Sequence, residues 1–206
     1  MMFFLEKKII FVHIPKTGGS TLEYSICESL FGKMTQPESY RKSYAECTVR
    51  GKFKNIPLRT RGGHTHSFIR EYAQFLPIES FLKFTVLRDP FKQVVSLYNQ
   101  MRKPMKIPSL EHFVMTDGGG SMKALDDYID QYKYTHIDGV FAIDKPFVFE
   151  RYGEAQAFVE SQFGIKIDKS LRLWKTSYTD EVFTKEMTQK FESVYHKSID
   201  LHRRFL

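Results

Sequence analysis

Lys16, Thr17, Gly18, Gly19, Ser20 and Thr21 stand consecutively between the mostly apolar, branched or aromatic run of five residues from Ile9 to His13 and a helical pattern with apolar residues at Leu22, Ile26 and Leu30. The spacing predicts a strand, a short loop and a helix. A helix start aims N–H groups and a partial positive charge at the loop, which suits an anion. Gly18 and Gly19 permit close approach of a ligand, the hydroxyls of Thr17, Ser20 and Thr21 add donors, and Lys16 adds a full charge. A second place of this kind follows Phe81 to Leu87, a strand pattern ending at Arg88-Asp89-Pro90. Asp89 suits a helix N-cap and Pro90 the first helical position, with the helix running from Phe91 to about Arg102 and Ser96 two turns inside. Arg88 then sits where phosphate is favoured, although a structural salt bridge is the plainer use of a lone arginine. Between the two lies Gly63-His64-Thr65-His66. In extended backbone the two imidazoles share a face and converge on one point. A general base is the better functional reading, since imidazole titrates near neutral pH, whereas zinc would need companion ligands that the sequence does not place nearby; a pair of ordinary polar loop histidines is the plainer reading of this segment alone.

The remaining elements must bring these residues together. A short helix from Ile69 to Leu76 stops at Pro77. Ser109 to His136 reads as helical, broken at Asp117-Gly118-Gly119-Gly120, where a hinge or lid is expected. Pro146 to Arg151 reads as a strand, Glu154 to Phe163 as a helix closed by Gly164, and Thr184 to Phe205 as a long helix with Met187, Phe191, Val194, Tyr195 and Ile199 on its buried face. The basic segment from Lys33 to Arg61 reads as a loop-rich connection, either a solvated face or a rim for an anionic acceptor. Strands alternating with helices define an α/β class with a central, mainly parallel sheet flanked by helices, and ligands at the carboxyl ends of the strands.

With 206 residues and 42% hydrophobic content the chain suits one domain over residues 1–206. Its 31 basic against 24 acidic residues give a formal charge of +7, which favours an anionic partner without choosing among nucleotide, glycan, nucleic acid and membrane surface. Cys27 and Cys47 make no disulfide framework or paired metal spacing. The apolar opening Met1 to Leu5 is too short for a membrane anchor and lacks the form of a signal peptide, so a cytoplasmic protein is expected.

The first loop is not a Walker A motif, because its lysine precedes the glycines. His13-Ile14-Pro15-Lys16-Thr17-Gly18-Gly19-Ser20-Thr21 instead resembles the 5′-phosphosulfate loop of sulfotransferases that use 3′-phosphoadenosine 5′-phosphosulfate (PAPS), in the branch containing the heparan sulfate 2-O-sulfotransferases. Val86 to Tyr98 resembles that family's 3′-phosphate motif, whose arginine and serine match Arg88 and Ser96. Gly63 to His66 resembles the segment with the family's catalytic histidines, and Trp174-Lys175-Thr176-Ser177 a late nucleotide-contacting stretch. The family usually has an arginine where Gln93 stands, so a contact is missing or replaced, with Lys92 a candidate substitute. An arginine is also common at the place of Trp174, whose ring could stack on adenine or simply pack.

The resemblance implies a three-layer P-loop-like fold and O-sulfation of an acceptor hydroxyl, with PAPS as donor, adenosine 3′,5′-bisphosphate (PAP) as product and no metal. The acceptor would be a carbohydrate, as glycan or glycolipid, and nucleic acid is not expected. Lys16 would stabilise the leaving group, with His64 as base ahead of His66. Residues 17 to 21, Arg88, Ser96, Trp174, Lys175 and Thr176 would bind the nucleotide. Two other readings stand beside it: a nucleotide-dependent phosphotransferase, which the loop order disfavours, and a non-catalytic basic module for glycan or nucleic acid, which charge alone would allow.

Overall fold

The computed structural model describes residues 2–4, 7–31, 66, 68–74, 76–118, 125–171, 173 and 181–206. In chain order the strands are β1 (Met2–Phe4), β2 (Ile9–Val12), β3 (Leu82–Leu87), β4 (His136–Ile137), β5 (Val140–Phe141) and β6 (Lys145–Val148). The helices are α1 (Gly19–Phe31), α2 (Ile69–Ala73), α3 (Pro90–Met101), α4 (Leu110–Met115), α5 (Leu125–Ile129), α6 (Gln131–Thr135), α7 (Tyr152–Phe163) and α8 (Lys185–Phe205).

The main sheet has the order β1-β2-β3-β6, with β2, β3 and β6 parallel and β1 antiparallel at one edge. Both faces are covered, which is why β2 reads as an unbroken apolar run rather than an alternation. Ile9 and Phe11 point into a core with Leu22 and Ile26 of α1 and Ala155 and Val159 of α7. Ile10 and Val12 point into the opposite core with Tyr72, Tyr134 and Leu201, from α2, α6 and α8. The layers are therefore helix, sheet and helix, as the alternation of elements predicts. A third core joins α3, α4 and α5 to α8 around Tyr98, Phe113 and Phe191.

Local chemistry sets the ends. Asp89 accepts from Phe91 N at 2.9 Å and Pro90 opens α3. Thr184 accepts from Met187 N at 3.2 Å to start α8, and Gly164, at φ +67°, stops α7. Three expectations are revised. The strand expected over Pro146 to Arg151 gives way after Val148 to a 3-10 turn, Phe149–Arg151. Val194 is 42% exposed, because α8 kinks at Tyr195 (φ −108°, ψ 19°) and turns it from the buried stripe. A hairpin, β4–β5, stands where helix was expected to end; Asp138 and Gly139 both take positive φ, as its two-residue turn requires. Of the proposed lid, Gly118 closes α4 through its N–H on Phe113 O at 2.7 Å, while Gly119 and Gly120 lie outside the described residues.

His136 joins the hairpin to α6, stacked on Tyr132 at 3.6 Å with Nδ1 3.1 Å from Tyr132 O. Burial lowers its pKa; the Tyr132 carbonyl and Asp130 oppose this and Arg204 and Lys197 add to it. A lowered folded-state value means that the unfolded chain takes up the proton first, so this contribution is present above the ordinary imidazole range and lost as pH falls through the lowered value. The melting temperature of wild type relative to His136→Phe should therefore decline from pH ~7.5 to pH ~5, below the usual imidazole pKa near 6.5. Thermal melts across that range check it.

Candidate active site

The turn between β2 and α1 is shaped by two left-handed residues, Lys16 (φ +65°) and Gly18 (φ +85°), on either side of Thr17. Alternation of this kind lets successive N–H groups face one concavity. No acidic side chain occupies the first turn of α1. Gly18 has an internal reason as well as its φ: a Cβ would lie 2.9 Å from the Tyr152 ring and 3.0 Å from that of Phe149. At Gly19 a Cβ would lie 2.2 Å from Cδ2 of His13. The side chains missing from both glycines would thus collide with protein, a constraint separate from ligand approach.

Thr17 is buried and its hydroxyl donates to Ile14 O at 2.9 Å. The expected donation from the Thr17 hydroxyl to a ligand is therefore corrected, because its single proton is spent inside the loop. Ser20 is half-buried in the first turn of α1. Thr21 closes that turn through its N–H on Gly18 O at 3.1 Å, and its Oγ1 accepts from Leu173 N at 3.4 Å. The chain just before Trp174 thus reaches the loop, but Trp174, Lys175 and Thr176 lie outside the described residues.

The second turn is bonded to the first. Arg88 is buried at the end of β3 and its Nη1 donates to Lys16 O at 2.7 Å. Its guanidinium lies 4.6 Å from the Phe149 ring centroid, and Tyr152 donates to Gly18 O at 2.8 Å. Ser96 is buried two turns along α3.

Two glutamines finish the frame. Gln131 Oε1 accepts from Arg88 N at 3.0 Å, while its Nε2 donates to Arg88 O at 2.6 Å and to Gln93 Oε1 at 3.0 Å. Gln93 Nε2 in turn donates to Pro15 O at 2.8 Å and Tyr128 O at 3.1 Å. The contact thought missing at Gln93 is thus a buried amide tying the first loop to the second. Lys92 does not replace it, since Lys92 is exposed while Gln93 is buried.

His66 is half-buried beside the loop, its Nδ1 3.3 Å from His13 O. His64 lies outside the described residues. Sequence reasoning passed over Gln131, Tyr152, Phe149 and the buried pair of His13 and Glu23, whose Nδ1 and Oε1 are 2.9 Å apart. Glu23 carried a signal: it occupies a core position of α1 beside Leu22, Ile26 and Cys27, where a charge is out of pattern.

A lysine in left-handed backbone at one strand-to-helix turn and an arginine bonded to its carbonyl from the next place two cationic residues at adjacent strand ends. Residues 1–124 match the model of the sulfotransferase family, and the chain belongs to that family. Its members transfer sulfuryl groups and generally take them from PAPS. The matched span holds both turns and both histidines. No curated protein and no solved structure matches the chain. Among the described residues no cluster of His, Cys, Asp or Glu is arranged to hold a metal, and no helix is long and apolar enough to cross a membrane.

Replacing Gln131 by Leu removes the bonds to both peptide groups of Arg88 and to Gln93. With three buried partners left unpaired at about 1–3 kcal/mol each, the variant should lose at least about 3 kcal/mol of stability. Urea denaturation measures this, and a loss below about 0.5 kcal/mol, the level of an ordinary surface change, would show that the amides carry no such load.

Proposed function

We propose that the protein is a PAPS-dependent O-sulfotransferase acting on a hydroxyl of a carbohydrate, as glycan or glycolipid. The observation that carries the reading is the bond from Arg88 to Lys16 O, which makes the two phosphate-type turns one site. When bound, PAPS supplies an activated sulfuryl group and departs as PAP.

The N–H groups of residues 17 to 21 would hold the 5′-phosphosulfate, with Arg88 and Ser96 at the 3′-phosphate and Trp174, Lys175 and Thr176 closing over the nucleotide. Lys16 would place its ammonium at the bridging oxygen, where negative charge grows as the sulfur–oxygen bond breaks. A histidine would take the acceptor's proton as the hydroxyl oxygen bonds to sulfur, a role contributing about 10²–10⁴-fold. Both His64 and His66 are candidates. His66 is favoured by its contact with His13 O, because a carbonyl can only accept: the Nδ1 proton points there and the basic lone pair falls on Nε2. The net charge of +7 suits an acidic or sulfated acceptor.

Purified protein given radiolabelled PAPS and a panel of glycans, glycolipids and phenols should label a carbohydrate hydroxyl. Label on no hydroxyl, or only on phenols, would contradict the reading. In the same assay His66→Gln should lower turnover about 10²-fold or more, the usual share of a general base. Lys16→Ala should lower turnover far more than it weakens PAPS binding, because its charge works mainly in the transition state. Calorimetry beside single-turnover kinetics separates the two; lost affinity with intact turnover of bound donor would contradict that role.

A further inference from the structure

Glu23 is fully buried, and neither of its carboxylate oxygens has a hydrogen-bond partner among the described residues. Taking a carboxylate out of water costs several kcal/mol, and an apolar side chain at this core position would avoid that cost. Its close neighbour is the imidazole of His13, with Nδ1 2.9 Å from Oε1, a distance of ion pairing that lacks hydrogen-bond alignment. The helix explains the meeting. Glu23 is one turn beyond Gly19, helical side chains lean back toward the N-terminus, and the His13 ring fills the place where a Gly19 Cβ would be.

His13 in turn holds His66 in two ways. Its ring meets the His66 ring edge to face, centroids 4.5 Å apart at 74°, and its carbonyl receives His66 Nδ1 at 3.3 Å. Phe11 stacks on His13 from the strand side at 5.6 Å and 13°. The carboxylate therefore fixes one imidazole, and that residue's main chain and ring orient the next. Without the Nδ1 contact a neutral histidine is not bound to the tautomer whose basic nitrogen is Nε2.

We propose that Glu23 and His13 are positioning residues for His66, holding it in the Nδ1–H tautomer so that Nε2 is the nitrogen offered to the acceptor hydroxyl. This rests on the reading of His66 as the base. Neither residue touches the reacting atoms; both act through His66. It also explains why a charge is kept at a helix position otherwise given to the core, and why Gly19 must lack a side chain.

Imidazole 15N spectra of the full chain test it, recorded above the ordinary imidazole range, with His66 identified by the signals lost in His66→Gln. In wild type His66 should be in the Nδ1–H form. In Glu23→Gln, which keeps the shape and removes the charge, the Nε2–H form should become the majority, with PAP affinity by calorimetry changed less than twofold. Glu23→Met, neutral and of similar volume, carries the same comparison should the amide variant fail to fold. An Nδ1–H form unchanged in the folded variant, or an Nε2–H form in wild type, overturns the proposal. The underlying reading fails separately: His66→Gln with undiminished transfer removes His66 as base, whatever its tautomer.

Discussion

The bond from the Arg88 guanidinium to Lys16 O is the contact on which the site's geometry depends. Lys16 is held in left-handed backbone, which costs a residue with a Cβ about 1–2 kcal/mol. A charge-assisted bond to its carbonyl offsets much of that cost. The same bond joins the carboxyl ends of two adjacent parallel strands, β2 and β3, so the loop that follows one is set by the residue that ends the other. Phe149 beneath Arg88 and Tyr152 on Gly18 extend the joint to the next strand, β6, and to α7.

Neutral amides complete the joint in place of further charge. Gln131 grips both peptide groups of Arg88, and Gln93 passes the connection to Pro15. An amide has both donors and acceptors, so the two glutamines satisfy main-chain groups of opposite polarity without placing a buried charge beside the loop. The positive charge at the turns is left to Lys16 and Arg88.

Much of this was legible in the sequence. The strand, loop and helix around Lys16 announced themselves through an apolar run, two glycines and a 3.6-residue pattern, and Asp89-Pro90 marked the start of α3 by its own capping chemistry. What was not legible depends on contacts far along the chain. Gln131 lies 43 residues from Arg88, and Tyr152 lies 134 from Gly18; no local pattern marks such partners. Val194 was misplaced because a kink, invisible to periodicity, turns it outward. The hairpin at Asp138-Gly139 was legible and was missed, its two-residue strands being too short to alternate. Glu23 was legible as an exception, a charge on the apolar face of α1.

As proposed, the two strand-to-helix turns form one site for a nucleotide phosphorylated at both ends of its ribose. Calorimetric titration of wild type and Arg88→Ala with PAP and with AMP, which lacks the 3′-phosphate, tests it most directly. Wild type should bind PAP about 10–100-fold tighter than AMP, the worth of charge-assisted bonds at roughly 1.5–3 kcal/mol, and Arg88→Ala should bind the two alike. Equal affinity of wild type for PAP and AMP, or a preference that survives loss of Arg88, would contradict it.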